Sequence, residues 1–171
     1  MKIFSVMGSP NRKGNTAALL QQYLKGVEES HSDIESTNIY LEEMDIRGCK
    51  GCNACKSGKV ENCVIKDDMG ELYEKLKDSD VLILATPIYF FSMTSQLKTF
   101  IDRLYVLDFN SWRGKKIVLL TTYGDTDEIS SGAINAVNIV EYMAKFSGMD
   151  FAQRYGVSTT VCTVSKNSKA L

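Results

Sequence analysis

Residues 81–93 read VLILATPIYFFSM. Val81 to Ala85 is a continuous apolar run, of the kind found in a strand buried on both faces of a parallel sheet. Thr86-Pro87 is expected to end it, because proline cannot donate to a ladder. A strand covered above and below needs helices on both sides, so the flanking sequence should alternate between the two periodicities. It does. Asp68 followed by Glu71 is a capping-box-like start for a short helix carrying Leu72, Tyr73 and Leu76. On the other flank Leu97, Phe100, Ile101, Leu104 and Leu107 have helical spacing.

Further out, Lys2 to Gly8 reads as a first strand, and Leu20, Tyr23, Leu24 and Val27 mark a helix beginning at Thr16. Ile34 to Leu41 is a second, weaker strand. Glu42 to Lys66 has little periodicity of either kind and reads as an excursion loop. Lys116 to Thr121 gives a fourth strand, ending at Tyr123-Gly124. Ile134, Val137, Val140 and Ala144 mark a long helix stopped by Gly148, and Tyr155 to Val161 reads as the fifth strand. This alternation predicts an α/β doubly wound parallel sheet of five strands, forming one domain over residues 1–171. After the fifth strand only Ser165 to Leu171 remain. Either the usual closing helix is abbreviated or the chain has been cut there.

The chain has 171 residues, 44% of them apolar, with 20 Lys and Arg against 21 Asp and Glu. No basic block tracks a phosphate backbone, which argues against nucleic acid. The longest strongly apolar run is far short of a bilayer span, and MKIFSVMG is too short for the apolar region of a signal peptide. A cytoplasmic protein with no membrane partner is expected.

Ligands of such sheets bind at the carboxyl ends of the strands, which directs attention to the segments after residues 8, 86 and 122. The first, Gly8-Ser9-Pro10-Asn11-Arg12-Lys13-Gly14-Asn15-Thr16, runs into a helix whose N-terminus attracts anions. It is not a Walker loop: five residues separate its glycines, and Asn15-Thr16 follows. The second, Thr86 to Met93, places apolar and aromatic side chains where chain usually turns polar, a surface suited to a flat ring. The third, Thr121-Thr122-Tyr123-Gly124-Asp125, adds hydroxyls, backbone N–H groups and another ring. One phosphate nest beside two ring-binding loops describes a mononucleotide with a large planar head, an outline that FMN fits.

GSPNRKGNT, ATPIYFFSMTSQLKTFIDR and TTYG, in this order and spacing, resemble the flavodoxin-like NAD(P)H-dependent FMN reductases over essentially the whole chain. The resemblance implies strand order 2-1-3-4-5 and FMN, with NAD(P)H as electron donor. By position it assigns Ser9, Asn11, Gly14, Asn15 and Thr16 to the ribityl phosphate. Pro87, Ile88, Tyr89 and Phe90 fall to the isoalloxazine, and Thr122 and Gly124 to its far edge. Family members often carry arginine directly after the proline, where this chain has Asn11 and then Arg12, so which basic side chain faces the phosphate stays open. A flavin near a homodimer interface is implied as well. The aromatic segment independently suggests a homodimer or a larger assembly, such as a homotetramer, because it puts unusual apolar surface at a strand end.

Cys49, Cys52, Cys55 and Cys63 give C-x2-C-x2-C-x7-C. Four thiolates of one chain are a complete ligand set for a 4Fe-4S cluster; zinc more often takes two separated pairs. The spacing resembles the compact motif of the iron-sulfur flavoproteins, a branch of the same family. Similar segments also occur in reductases with no evident cluster, so iron-sulfur, zinc and free or oxidisable thiols all stand at this point. Cys162 reads as a small buried residue of the last strand. His31 reads as solvated, and no Ser-His-Asp or paired-carboxylate arrangement stands out. No catalytic side chain is expected, in keeping with flavin chemistry, where the cofactor takes the hydride. Two functions follow. One is a reductase passing electrons from NAD(P)H through FMN to a small-molecule acceptor such as a quinone, flavin, nitro compound or iron carrier. The other is an electron carrier whose cluster exchanges electrons with ferredoxin.

Overall fold

The computed structural model describes residues 1–160. The elements are β1 (Lys2–Met7), α1 (Asn15–Ser30), β2 (Glu35–Tyr40), α2 (Met69–Asp78), β3 (Val81–Tyr89), β4 (Ser92–Met93), α3 (Ser95–Arg103), β5 (Lys116–Tyr123), α4 (Ala133–Ser147) and β6 (Asp150–Ser158). Strands β2-β1-β3-β5-β6 lie in that order and pair in parallel; two-residue β4 folds back antiparallel on the end of β3. Leaving β4 aside, this is the expected order 2-1-3-4-5.

The period of two along the central strands builds two cores. Phe4, Val6, Leu82, Leu84, Ile117 and Leu119 face α2, α3 and α4. Ile3, Met7, Val81, Ile83, Val118 and Leu120 face the other way, toward Ala17, Leu19 and Leu20 of α1. Gly148 ends α4 in the left-handed conformation (φ 75°), as the sequence predicts.

Three expectations are corrected. Strand β3 does not stop at Thr86-Pro87 but continues beside β5, pairing Thr86 with Thr121 and Pro87 with Thr122. Ala85 turns its carbonyl to β1, where it accepts from the Gly8 N–H. Two residues on, the Pro87 nitrogen faces the same side, past the last β1 pair (Met7 with Ala85), so its missing N–H interrupts nothing. Asp68 precedes α2 without capping it; its carboxylate accepts instead from the Asp45 N–H at 2.7 Å. The last strand begins at Asp150, five residues before the expected start. It is an edge strand, largely exposed, and lacks the apolar run by which the inner strands announce themselves. Cys162 lies outside the described residues.

Candidate functional site

The carboxyl ends of β1, β3 and β5 meet at a cleft of about 420 Å³, on the switch point where β1 and β3 lie side by side. The cleft brings together Ser9, Asn11, Gly14, Asn15, Thr16, Pro87, Ile88, Tyr89, Thr122 and Gly124, ten of the eleven residues anticipated from sequence. Phe90 is the exception. It stands at the rim, 96% exposed.

The first loop is preorganised. Ser9 Oγ accepts from the Asn11 N–H, and Asn11 Oδ1 accepts from the Lys13 N–H at 3.1 Å, an Asx turn leading into α1. Gly14 occupies the N-cap position with no side-chain cap on the helix. A Cβ there would crowd the Asn11 amide at 3.1 Å. Thr16 and Thr122, both buried, share a hydroxyl hydrogen bond of 2.7 Å that ties the first loop to the third. Of the two basic residues in this loop, Lys13 lines the cleft, whereas Arg12 pairs with Glu43 at 2.8 Å and stacks over Tyr40.

Thr94 and Thr159 escaped the sequence reading, while Tyr123 supplies the ring expected of the third loop. Thr94 Oγ1 donates to the Gly8 carbonyl at 2.7 Å and caps α3 by accepting from the Leu97 N–H; its own N–H donates to Thr86 Oγ1. One buried threonine thus fastens the first loop, β3 and α3. Tyr123 lines the cleft, and burial, reinforced by Glu128 and Asp127, pushes its hydroxyl pKa up. Thr159 lines the cleft too and donates twice to the Tyr123 carbonyl. The edge-strand register that delivers Thr159 left no signal in the sequence.

Beyond Tyr89 the chain turns through Phe90 (φ 44°) and Phe91 (φ 70°), both left-handed, before β4. Two-residue hairpins of this type normally employ Asn-Gly. The Phe91 backbone is held in place by Gly132, where a Cβ would lie 2.6 Å from it, and by Asn135, whose Nδ2 donates to the Phe91 carbonyl at 2.9 Å.

The four cysteines line a second cavity, of about 150 Å³, at the C-terminal end of α3. Cys49 and Cys52 are exposed, Cys55 and Cys63 half-buried, and none of the four is in a disulfide. Backbone N–H groups of Gly51 and Ile65 donate to the sulfurs of Cys49 and Cys63, both at 3.5 Å. Among the described residues no group of three or more His, Cys, Asp or Glu is drawn together tightly enough to grip a single ion. The donor chemistry, four thiols around one cavity with amide donors on two sulfurs, fits a cluster better than a lone metal.

Two cations hold this loop. Arg103, buried, forks onto Asp67 and donates to the Arg47 carbonyl at 2.7 Å, closing the loop's neck. Its pKa is raised: burial alone would lower it, but Asp67 and Tyr73 outweigh that. The buried Tyr73 hydroxyl lies beside this guanidinium; burial pushes the Tyr73 pKa up to about 12, opposed in part by Arg103. Lys56 pins the loop's tip, donating to the Val106 and Leu107 carbonyls above the rings of Tyr105 and Phe109.

The family described as NADPH-dependent FMN reductase matches residues 1–150. The chain belongs to that family. An iron-sulfur flavoprotein of Archaeoglobus fulgidus is 33% identical over 162 residues, covering 91% of this chain and 80% of that protein. Another from the same organism is 34% identical over 143 residues, covering 84% and 60%. Against four of these curated relatives the chain spans only 51% to 60% of their length. Among solved structures, an FMN-dependent NADH-azoreductase from Bacillus anthracis in complex with FMN superposes with a TM-score of 0.74. It is 13% identical and covers 97% of this chain and 91% of its own, a likeness of fold. Among the described residues no helix is long and apolar enough to cross a membrane.

Proposed function

We propose that this chain is an FMN-dependent oxidoreductase, built on one domain over residues 1–171, that draws electrons from NAD(P)H and delivers them to a second acceptor. The acceptor class is a quinone, a free flavin, a nitro compound or an iron carrier. One observation carries the reading: the 420 Å³ cleft where three loops distant in sequence converge with complementary chemistry. Bound FMN supplies hydride acceptance and electron release. Ser9, Asn11, Gly14, Asn15 and Thr16 hold the phosphate at the α1 N-terminus, with Lys13 as the nearby cation. Pro87, Ile88 and Tyr89 shield the ring from water, Phe90 extends that wall at the rim, and Thr122 and Gly124 meet the far edge. In this reading the residues of the cleft bind and orient, and the flavin takes the hydride. Three consecutive exposed aromatics, Tyr89, Phe90 and Phe91, stand beside the cleft, which supports a homodimer or homotetramer. Reduced thiols and a nicotinamide donor belong in the cytoplasm.

A second reading is favoured by the shared cavity of the cysteines. In it Cys49, Cys52, Cys55 and Cys63 ligate a 4Fe-4S cluster, and ferredoxin is the exchange partner. The relatives named iron-sulfur flavoproteins support it. Anaerobic purification, followed by an absorbance spectrum, iron and flavin analysis and NAD(P)H titration, tests both. Flavin bleached by NAD(P)H without iron is the reductase alone. Four irons per chain, with flavin reduced by ferredoxin but not by NAD(P)H, is the carrier. Protein without flavin overturns both.

A further inference from the structure

A third cavity, of about 430 Å³, lies between the cysteine loop and α4 and shares no lining residue with the cleft. Its walls include Cys49, Tyr105, Phe109, Trp112, Met143 and Phe146. The rings form a continuous surface: Tyr105 and Phe109 have centroids 6.1 Å apart, and Phe109 meets Phe146 edge-on at 4.8 Å. Edge-on packing of this kind leaves ring faces open to a further aromatic partner. Two of the polar lining groups are already engaged. Asp102 is paired with Lys98 at 2.5 Å, and Ser147 Oγ donates to the Met143 carbonyl at 2.8 Å. Just outside, Lys56 is spent on carbonyls and the same two rings. A charged ligand would lose its hydration here and find no counter-charge.

We propose that this cavity is a binding site for an uncharged, flat aromatic molecule of about two fused rings. The volume falls within the usual small-molecule range of about 300–1,000 Å³, and the wall is apolar and aromatic with sulfur from Met143 at its edge. The occupant is a small molecule rather than a protein segment, because three stretches of the chain, 49–51, 101–112 and 143–149, wall a space of small-molecule size. Because Cys49, Gly51, Asp102 and Tyr105 line both this cavity and that of the cysteines, the ligand lies directly against the cysteine loop. The proposal depends on neither the flavin nor the cluster assignment.

Trp112 is the only tryptophan in the chain and is almost fully buried in this wall, so its fluorescence reports on the cavity directly. The probe is 1-nitronaphthalene, which quenches tryptophan and does not alkylate thiols, titrated without NAD(P)H into the flavin-loaded protein. Saturable quenching is expected, with the flavin absorbance unchanged. Affinity should fall about tenfold in Phe146→Ala and in Met143→Arg, and about tenfold for the sulfonated analogue of the probe. Phe146 is exposed, so its truncation leaves folding intact, and the melting temperature and flavin content verify this. Quenching that rises linearly without saturation overturns the site, as does saturable quenching that neither variant weakens. A perturbed flavin spectrum with Trp112 unaffected would place the probe in the cleft instead. Dissociation of an oligomer by Met143→Arg, seen by sedimentation, would show that a second copy covers this face and would equally overturn the proposal.

Discussion

Arg103 and Asp67 form a two-pronged ion pair, Nη1 to Oδ2 at 2.6 Å and Nη2 to Oδ1 at 3.0 Å, with both side chains withdrawn from solvent. The pair joins the end of α3 to the return limb of the cysteine loop, while the Arg47 N–H and carbonyl bind the same two side chains from the outgoing limb. Removing one partner strands the other. Arg103→Met should destabilise the protein by about 3–5 kcal/mol, since an uncompensated buried carboxylate remains. Arg103→Lys, which keeps the charge and loses the fork, should cost less. Urea unfolding of both variants measures this, and a loss under about 1 kcal/mol for Arg103→Met would show that the loop simply releases Asp67 to water.

The same pair sets an acid limit. Burial pushes the Asp67 pKa up, but hydrogen bonds from Arg103 and from the backbone N–H groups of Arg47 and Met69 outweigh it, so the carboxyl sits below its ordinary value of 3.8. With the folded pKa depressed, the stabilisation is complete above the unfolded value and is lost as pH falls through the folded one. The stability gap between parent and Asp67→Asn should therefore be constant from about pH 5 to 7 and shrink toward about pH 3. A gap that widened on acidification would contradict this.

Phe90 and Phe91 hold left-handed backbone that bulky residues avoid, and Phe90 gains almost no burial in return. Phe90→Asn should raise stability by about 1 kcal/mol while weakening FMN binding if the ring serves the cleft. Thermal melting of flavin-free protein reads the first effect and flavin titration the second. Gly132→Ala should do the reverse to stability, because its Cβ would strike the Phe91 backbone at 2.6 Å and its own φ is 77°.

In the cleft, Asn15→Ala combined with Thr16→Ala removes the Thr16 hydroxyl that bonds Thr122 and a polar side chain at the α1 N-terminus. Each lost hydrogen bond to a charged group is worth about 1.5–3 kcal/mol, so FMN affinity should drop at least tenfold. Equal affinity by fluorescence titration would place the phosphate elsewhere.

Cys52→Ser should leave FMN bound and lower any iron in anaerobically purified protein, since the cleft and the cysteine cavity share no residue. Full iron retention in the variant would remove Cys52 from the ligand set. Loss of flavin as well would mean that the two sites communicate through α3.

The alternation of apolar periods was enough to give the parallel sheet and the three loops at its strand ends, whereas the order of the strands came from the resemblance carried by GSPNRKGNT, ATPIYFFSMTSQLKTFIDR and TTYG. Ser9, Asn11, Gly14, Asn15, Thr16, Pro87 to Tyr89, Thr122 and Gly124, assigned by that resemblance, come together in the cleft because each lies at or just beyond a strand end. Tertiary structure alone decided that Lys13 rather than Arg12 lines the cleft, since Glu43 and Tyr40 claim Arg12. It alone carried β3 through Pro87, set Phe90 out at the rim, and made Thr94 the fastening between loops. It also paired Arg103 with Asp67 across 36 residues. The division has one physical cause. Periodicity records which face of an element is buried, whereas a side chain's partner depends on where distant segments pack, and no local pattern encodes that.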